Sequence, residues 1–193
     1  VNPDRRRWVR ETHEIKALQD NAEVFANSDI VILAVKPQMM DQALAPIIAC
    51  LGDSEFDRKL IISIAAGITL ERLESLLHPP LARERRPQMP IVRVMPNTPA
   101  LVLSGMAGMS ANRHAGDDDT AAARAILEAM GRVRVFHETS LDAVTALSGS
   151  GPAYVFYFVE AMTRGGIALG LDPEAAAELT RATLTGALNL LIE

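Results

Sequence analysis

The chain has 193 residues, 49% hydrophobic and 22% charged, a composition typical of a globular protein that can bury its own core. Its net charge of −5 and the lack of a dense basic block argue against nucleic acid as the main partner. The single cysteine, Cys50, excludes an internal disulfide framework and favours the reducing cytoplasm. No apolar run is long enough to span a membrane, so no membrane partner is expected.

Strands and helices alternate along the first two thirds of the chain. Three β-branched runs predict strands: DIVILAV (29–35), KLIISIAAG (59–67) and IVRVMPNTP (91–99). The first has the continuous apolar character of a strand buried on both faces. Helical spacing predicts helices over 40–49 and 69–77, and Thr69 is expected to cap the second of them. DDDTAAARAILEAMG predicts a further helix before a last strand over 132–136. This alternation predicts an α/β domain with a parallel, doubly wound sheet of Rossmann type.

Strand signals end at about residue 141, where two long helical patterns begin, over 152–169 and 173–192. We therefore expect a nucleotide-binding domain over 1–140 and the start of an all-α domain over 141–193. The chain begins without methionine, at an apparent strand end, and stops inside a helical pattern, so we expect a fragment whose first βα unit is missing.

Three predicted strand ends carry turns rich in small residues and proline: AVKPQ (34–38), IAAG (64–67) and MPNTP (95–99). Ligands of open α/β sheets bind beyond the carboxyl ends of the strands, and small residues let a backbone approach them closely. Each segment alone is equally consistent with a plain turn, but three on one sheet edge favour a ligand crevice.

The segment VNPDRRR resembles the end of a second Rossmann strand followed by a helix. Sites that prefer NAD place an acidic residue at this strand end, whereas NADP sites use arginine for the 2′-phosphate. Here Asn2 is followed by Arg5, Arg6 and Arg7, a pattern that favours NADP. A basic start of a surface helix remains the alternative.

Other chemistries have weaker support. The four histidines stand singly without metal-ligand spacing, so surface or packing roles are expected: His13, His78, His114 and His137. Asp117–Asp119 fit a helix N-terminus better than a metal site, and Cys50 is expected in the core. Ser148 and Ser150 lack the G-x-S-x-G elbow, and SGSGP reads as a helix start with Pro152 in its first turn.

Four segments together resemble the pyrroline-5-carboxylate reductase family: VILAVKPQ, ISIAAGITLERLESLL, RVMPNTPALV and DAVTALSGSGPAYVFYFVEAM. The resemblance covers essentially the whole chain. It implies reduction of (S)-1-pyrroline-5-carboxylate to L-proline with NADPH, or alternatively NADH. It also implies a Rossmann domain and a helical domain that pairs two subunits into a homodimer, which in the family often assembles into decamers.

The resemblance also implies a cofactor site built from the N-terminus and the three turns. Its adenosine side would be formed by Asn2, Arg5 and Asn21. Its ribose and pyrophosphate would lie by Ala34, Val35, Lys36 and Pro37, and its nicotinamide by Ala65, Ala66, Gly67, Pro96 and Asn97. Glu138 matches an acidic position near the substrate pocket, with a solvated loop carboxylate as the alternative. No catalytic residue and no metal ligand is assigned.

Two parts of the family pattern are not found in this sequence, the N-terminal glycine fingerprint and the C-terminal substrate loop.

Two rival functions stay open. A 6-phosphogluconate or β-hydroxyacid dehydrogenase-like reductase should carry a lysine on the first interdomain helix, and 152–169 has none. The other rival is a non-catalytic, dimerising remnant.

Overall fold

The computed structural model describes residues 2–52 and 56–192, which form a five-stranded sheet flanked by helices. The strands are β1 (Ile30–Leu33), β2 (Leu60–Ser63), β3 (Ile91–Met95), β4 (Gly105–Ala111) and β5 (Gly131–Val135). The helices are α1 (Pro3–His13), α2 (Asn21–Ala26), α3 (Met40–Leu51), α4 (Leu70–Leu77), α5 (Asp117–Glu128), α6 (Leu141–Val144), α7 (Gly151–Ala168) and α8 (Pro173–Ile192).

The strands lie side by side in chain order, and β1, β2 and β3 are parallel, with Val31 opposite Ile61 and Ile61 opposite Ile91. The α/β architecture predicted from the sequence is confirmed. The sheet is nevertheless mixed, because GMAGMSAN forms β4, which runs antiparallel to β3. Only residues 96–104 connect these two strands, and a parallel crossover needs a dozen residues or more.

Two apolar clusters cover the two faces of the sheet. Ile61 and Ile91 pack into one cluster with residues of α2, α3 and α4. Leu60, Ile62 and Val92 pack into the other, against α5. Neighbouring residues of one strand thus enter opposite cores, as the alternation of side chains along a strand requires.

β1 departs from the prediction that both of its faces are buried. Val31 and Leu33 are buried, but Ile30 and Ile32 are 38% and 47% exposed. β1 is the edge strand of the described sheet, and α1, the helix before α2, buries none of its residues. The strand end predicted at residue 1 lies outside the described residues.

The helices follow their predicted patterns, with one correction at Cys50. Thr69 caps α4 as expected, its Oγ1 accepting the Arg72 N–H at 3.1 Å. Cys50 is exposed rather than part of the core, because the buried stripe of α3 runs through Leu44, Ile47 and Leu51 and passes beside it.

After β5 the chain is helical, as predicted. A π-helical turn (Thr145–Gly149) joins α6 to α7, and Ser150 N–H donates to the Thr145 carbonyl at 2.8 Å. α7 begins at Gly151 with Pro152 in its first turn, and it exposes an apolar run that includes Phe156 and Tyr157. None of the described helices is both long and apolar enough to cross a membrane.

Candidate active site

The three turns singled out in the sequence meet at one edge of the sheet. They follow Leu33, Ser63 and Met95, the last residues of three adjacent parallel strands. The second turn is bonded to the end of β1, since Ile64 N–H donates to the Leu33 carbonyl at 3.1 Å. The three turns therefore converge as predicted, at the sheet edge beyond which open α/β sheets bind ligands, and the space that they border is the candidate crevice.

The turn after β2 presents its backbone to this crevice. Ala65 is buried beneath the turn, whereas Ala66 and Gly67 are exposed. Gly67 has a φ of 75°, a left-handed conformation that favours glycine, and a Cβ built there would meet no atom within 4 Å. A flat group could therefore lie against this backbone.

Asn97 ties the turn after β3 to two other segments. Its Oδ1 accepts the Met106 N–H at 2.9 Å, which fixes the turn to the start of β4. Its Nδ2 lies 3.2 Å from Ser148 Oγ and 3.3 Å from the Ser148 carbonyl. Sequence reasoning weighed Ser148 only as a nucleophile and missed this bond, because the two residues are 51 positions apart.

The SGSG segment packs closely against the same strand end. A Cβ on Gly149 would lie 2.6 Å from the Met95 Cε. The glycine thus lets the π-helical turn approach the carboxyl end of β3, where Pro96 and Asn97 follow. The start of the helical part is therefore one wall of the crevice.

The turn after β1 is more open. Ala34, Lys36 and Pro37 are exposed, while Val35 packs against the core that α3 and α4 share. Pro37 opens a short 3₁₀ turn that leads into α3. The Lys36 ammonium is therefore presented beside the crevice, where it can meet an anion.

Asn2 and Arg5 make their contacts within α1 and its cap. Asn2 Oδ1 caps the helix by accepting the Asp4 and Arg5 N–H groups at 2.9 and 3.3 Å. The Arg5 guanidinium lies over the Trp8 ring, 3.9 Å from its centroid. Arg6 Nε is buried without a hydrogen-bond partner among the described residues.

Asn21, the third residue assigned to the adenosine side, makes a hydrogen bond that joins two helices. Its Nδ2 donates to the Ala43 carbonyl at 2.9 Å and so ties α2 to α3. One N–H of this amide is thereby committed to the fold, and the second N–H and the Oδ1 acceptor are left for a ligand.

Glu138 is not the solvated loop carboxylate that the sequence offered as an alternative. Its Oε1 accepts the Leu70 N–H at 2.6 Å, at the start of α4, and lies 3.1 Å from the Arg93 guanidinium. Arg93 is buried in β3 and also reaches Asp142 at 3.4 Å. Sequence reasoning missed Arg93, although a charge inside the strand IVRVM signals a buried ion pair.

Away from the crevice, Asp119 caps α5 as predicted, accepting the Gly116 N–H at 2.7 Å. It also forms a bidentate pair with Arg58, whose Nη2 lies 2.7 Å from Asp119 Oδ2. The Arg58 hydrogen bond holds the pKa of this carboxyl below its usual value, against the opposing effect of partial burial.

Two of the four histidines, which stand singly in the sequence, lie together in the fold. The His78 and His114 rings meet edge to face, with centroids 5.3 Å apart, and Glu74 lies beside them. Burial lowers the pKa of His78 below its usual value, while the Met89 carbonyl and Glu74 act in the opposite direction. His114 is far from Glu74 and His78 in the sequence, and only the fold brings it to them.

Comparison with known proteins agrees with this architecture. A family model described as pyrroline-5-carboxylate reductase dimerisation matches residues 138–193. Another, described as NADP oxidoreductase coenzyme F420-dependent, matches residues 1–67.

Individual relatives match over nearly the whole chain. The pyrroline-5-carboxylate reductase of Synechocystis is 39% identical over 98% of this chain. A solved pyrroline-5-carboxylate reductase from Coxiella burnetii is 33% identical over 99% of it, with a TM-score of 0.84. The Plasmodium falciparum pyrroline carboxylate reductase, solved with NADP bound, is 31% identical over 91% of it, with a TM-score of 0.79.

The chain spans 66% of the Synechocystis protein, 67% of the Coxiella chain and 62% of the Plasmodium chain. Identity above 30% over this extent, together with the shared fold, establishes common membership. The chain belongs to the pyrroline-5-carboxylate reductase family.

Proposed function

We propose that the protein carrying this chain reduces (S)-1-pyrroline-5-carboxylate to L-proline, with NADPH as the preferred reductant. The observation that carries the proposal is the crevice formed by three turns at the carboxyl edge of β1, β2 and β3. The π-helical turn closes one side of this crevice, and the chain belongs to a family named for this reaction.

The residues at the crevice suit a dinucleotide. The nicotinamide is assigned to the exposed backbone of the second turn and the start of the third: Ala65, Ala66, Gly67, Pro96 and Asn97. The ribose and pyrophosphate are assigned to the first turn, where Lys36 offers a cation: Ala34, Val35, Lys36 and Pro37. The open space beside Gly67 and the exposure of Lys36 support this placement.

The adenosine end is assigned to Asn2, Arg5 and Asn21. Asn2 carries no negative charge that would repel a 2′-phosphate, and Arg5 offers a guanidinium fork in the first turn of α1. The positive end of the helix dipole adds to this attraction. The relative from Plasmodium, which was solved with NADP, supports the same cofactor class.

Ala65, Ala66 and Gly67 would hold the reduced nicotinamide, which would supply the hydride for the imine carbon, and a proton from solvent would complete the amine at nitrogen. The task of this chain's residues is to hold the reacting groups together and to exclude water. Asn97 keeps the third turn in place through its bonds to Met106 and Ser148. Glu138 fixes the start of α4 beside the second turn and is assigned to the edge of the substrate pocket.

Steady-state kinetics of the full-length protein test the proposal. With pyrroline-5-carboxylate as substrate, we expect a higher kcat/KM for NADPH than for NADH. Arg5→Met should lower kcat/KM for NADPH about 10- to 100-fold, because a charge-assisted contact to the phosphate is lost, and should leave NADH turnover unchanged.

Arg10→Met is the matched control, since Arg10 lies on the same helix but in its last turn. This variant should keep the wild-type cofactor preference. Equal or better use of NADH by the wild-type protein would contradict the NADPH preference. No imine reduction with either cofactor would contradict the function itself.

The assembly is part of the same proposal. Residues 141–193 are assigned to a dimerisation domain, so that two copies pair through α7 and α8, as the exposed apolar side chains of α7 favour. Further assembly into decamers and a cytoplasmic location are the finer expectations that accompany this pairing.

A further inference from the structure

We propose a zinc site formed by Glu74, His78 and His114, at the edge of the sheet opposite the candidate active site. One carboxylate oxygen and one nitrogen of each imidazole lie within 4.8 Å of one another. The inference rests on this geometry and is independent of the proposed reaction.

The donors come from two segments that the fold brings together. Glu74 lies in the last part of α4, and His78, which follows directly after the helix in a helical conformation, is one turn further on, so the two side chains project from the same face. His114 lies in the loop between β4 and α5. The two imidazole rings are already in contact, with centroids 5.3 Å apart.

Further hydrogen bonds orient two of the three donors. The Met89 carbonyl lies 3.3 Å from His78 Nε2, and because a carbonyl can only accept, this nitrogen carries the proton and Nδ1 keeps its lone pair. Asn112 Nδ2 donates to Glu74 Oε1 at 2.8 Å. Metal-binding histidines and carboxylates are typically held by such outer bonds.

Asn112 also joins the two segments. Its Oδ1 accepts the His114 N–H at 3.2 Å and the Ile91 N–H at 3.1 Å, so this buried amide holds the loop against the start of β3. The relative position of Glu74 and His114 is therefore set by one side chain, before any ion binds.

The donor set favours zinc. Two imidazoles and one carboxylate, with water in a fourth position, form a common tetrahedral zinc environment, whereas Mg²⁺ and Ca²⁺ prefer oxygen donors alone. Zinc–nitrogen bonds of about 2.0–2.1 Å require the donors to close in from their present separation. His114, which is half-buried and lies in a loop, would move towards the other two donors when zinc binds. The exposed Arg113, which donates to His114 Nε2 at 3.3 Å, would then turn towards solvent.

The location indicates what the ion would do. The Asn112 N–H donates to the Ile91 carbonyl, which places the cluster at the amino end of β3, away from the turn that follows Met95. Zinc there would clamp α4 to the loop after β4 and stabilise the folded state.

Zinc titration of the untagged protein tests the site, in a Cys50→Ser background because the exposed thiol is itself a zinc ligand. Calorimetry and metal analysis should give one zinc per chain. Glu74→Gln and His114→Gln should each weaken this binding at least about ten-fold. His13→Gln, which changes an exposed histidine of α1, should keep the parent affinity.

Thermal unfolding supplies a second readout. Zinc at about 100 times the parent's Kd should raise the Tm of the parent protein by roughly 5–10 °C and that of His114→Gln by at most about half as much. The metal-free Tm of His114→Gln, compared with that of the parent, shows that the variant is folded. Absence of stoichiometric zinc, or parent-like affinity in both Glu74→Gln and His114→Gln, would overturn the proposal.

Discussion

At the scale of single residues, Arg93 is a cation buried inside the central strand β3. Its side chain is 6% exposed, and its charge is balanced by Glu138 at 3.1 Å and Asp142 at 3.4 Å. Glu138 in turn accepts the first N–H of α4. One buried cation thus connects the central strand, a helix beside the crevice and the beginning of the helical part.

Arg93→Met should therefore be strongly destabilising. It leaves the partly buried Glu138 without its cation, and breaking such a pair from one side typically costs about 3–5 kcal/mol. Urea unfolding measures the loss. Arg72→Met is the control, because Arg72 pairs with Asp41 at the surface, at 2.8 Å, and exposed pairs contribute about 0–1 kcal/mol. Equal losses in the two variants would contradict the role assigned to Arg93.

At the scale of elements, α5 shows how one side chain can both start a helix and fix its position. Asp119 accepts the Gly116 N–H at the beginning of α5 and pairs with Arg58, which directly precedes Lys59 and β2. The sequence predicted the cap from the run of three aspartates. The pairing with Arg58 was not predictable, because 61 positions separate the two residues.

The lowered pKa of Asp119 makes this contribution depend on pH. A carboxyl whose pKa is lower in the folded than in the unfolded state stabilises the protein above its unfolded pKa and loses that effect as pH falls through the folded pKa. Asp119→Asn should cost about 1–2 kcal/mol at pH 7, because Arg58 is half exposed and the pair is partly screened.

The difference in the free energy of unfolding between the wild-type protein and Asp119→Asn should shrink as pH falls below about 4, where carboxyl groups ordinarily become protonated. Urea unfolding at several pH values measures it. Asp117→Asn is the matched control, since it removes an exposed aspartate from the same first turn. A difference that stays constant down to pH 2, or an equal cost in Asp117→Asn, would contradict the assignment.

At the scale of the whole molecule, the structure of a single chain does not explain why the apolar side chains of α7 are exposed. Tyr154, Phe156, Tyr157 and Phe158 are each more than half exposed. Contiguous aromatic surface of this kind marks interaction sites, and the matched dimerisation model covers this part of the chain. The sequence predicted an apolar helix buried between domains or subunits, and burial between subunits stays a prediction.

Phe156→Glu should weaken the proposed homodimer at least about 100-fold, because it places an unpaired charge in an apolar interface. Light scattering coupled to size-exclusion chromatography measures the shift from dimer to monomer. Val24→Glu makes a similar change on the exposed side of α2 and should leave the mass unchanged. A dimer that persists in Phe156→Glu would contradict pairing through α7.

The sequence by itself determined the elements of this protein and the place of the crevice. Periodicity, caps and turn residues are local signals, so they predicted β1, β2, β3 and β5, α4 with its Thr69 cap, and α7 with Pro152 in its first turn, but not β4. The crevice followed from one further rule, that parallel strands bring their carboxyl ends to the same edge. The family motifs are local as well, and they carried the resemblance that the comparisons confirmed.

Only the tertiary structure decided which distant residues meet. The Asn97–Ser148 bond, the Arg93–Glu138 pair and the His78–His114 contact each join segments that no local pattern connects. The antiparallel direction of β4 was likewise set by the short connection before it and by its pairing with β3. The physical reason is that burial, pairing and charge balance depend on neighbours in space, whereas local propensity depends on neighbours in sequence.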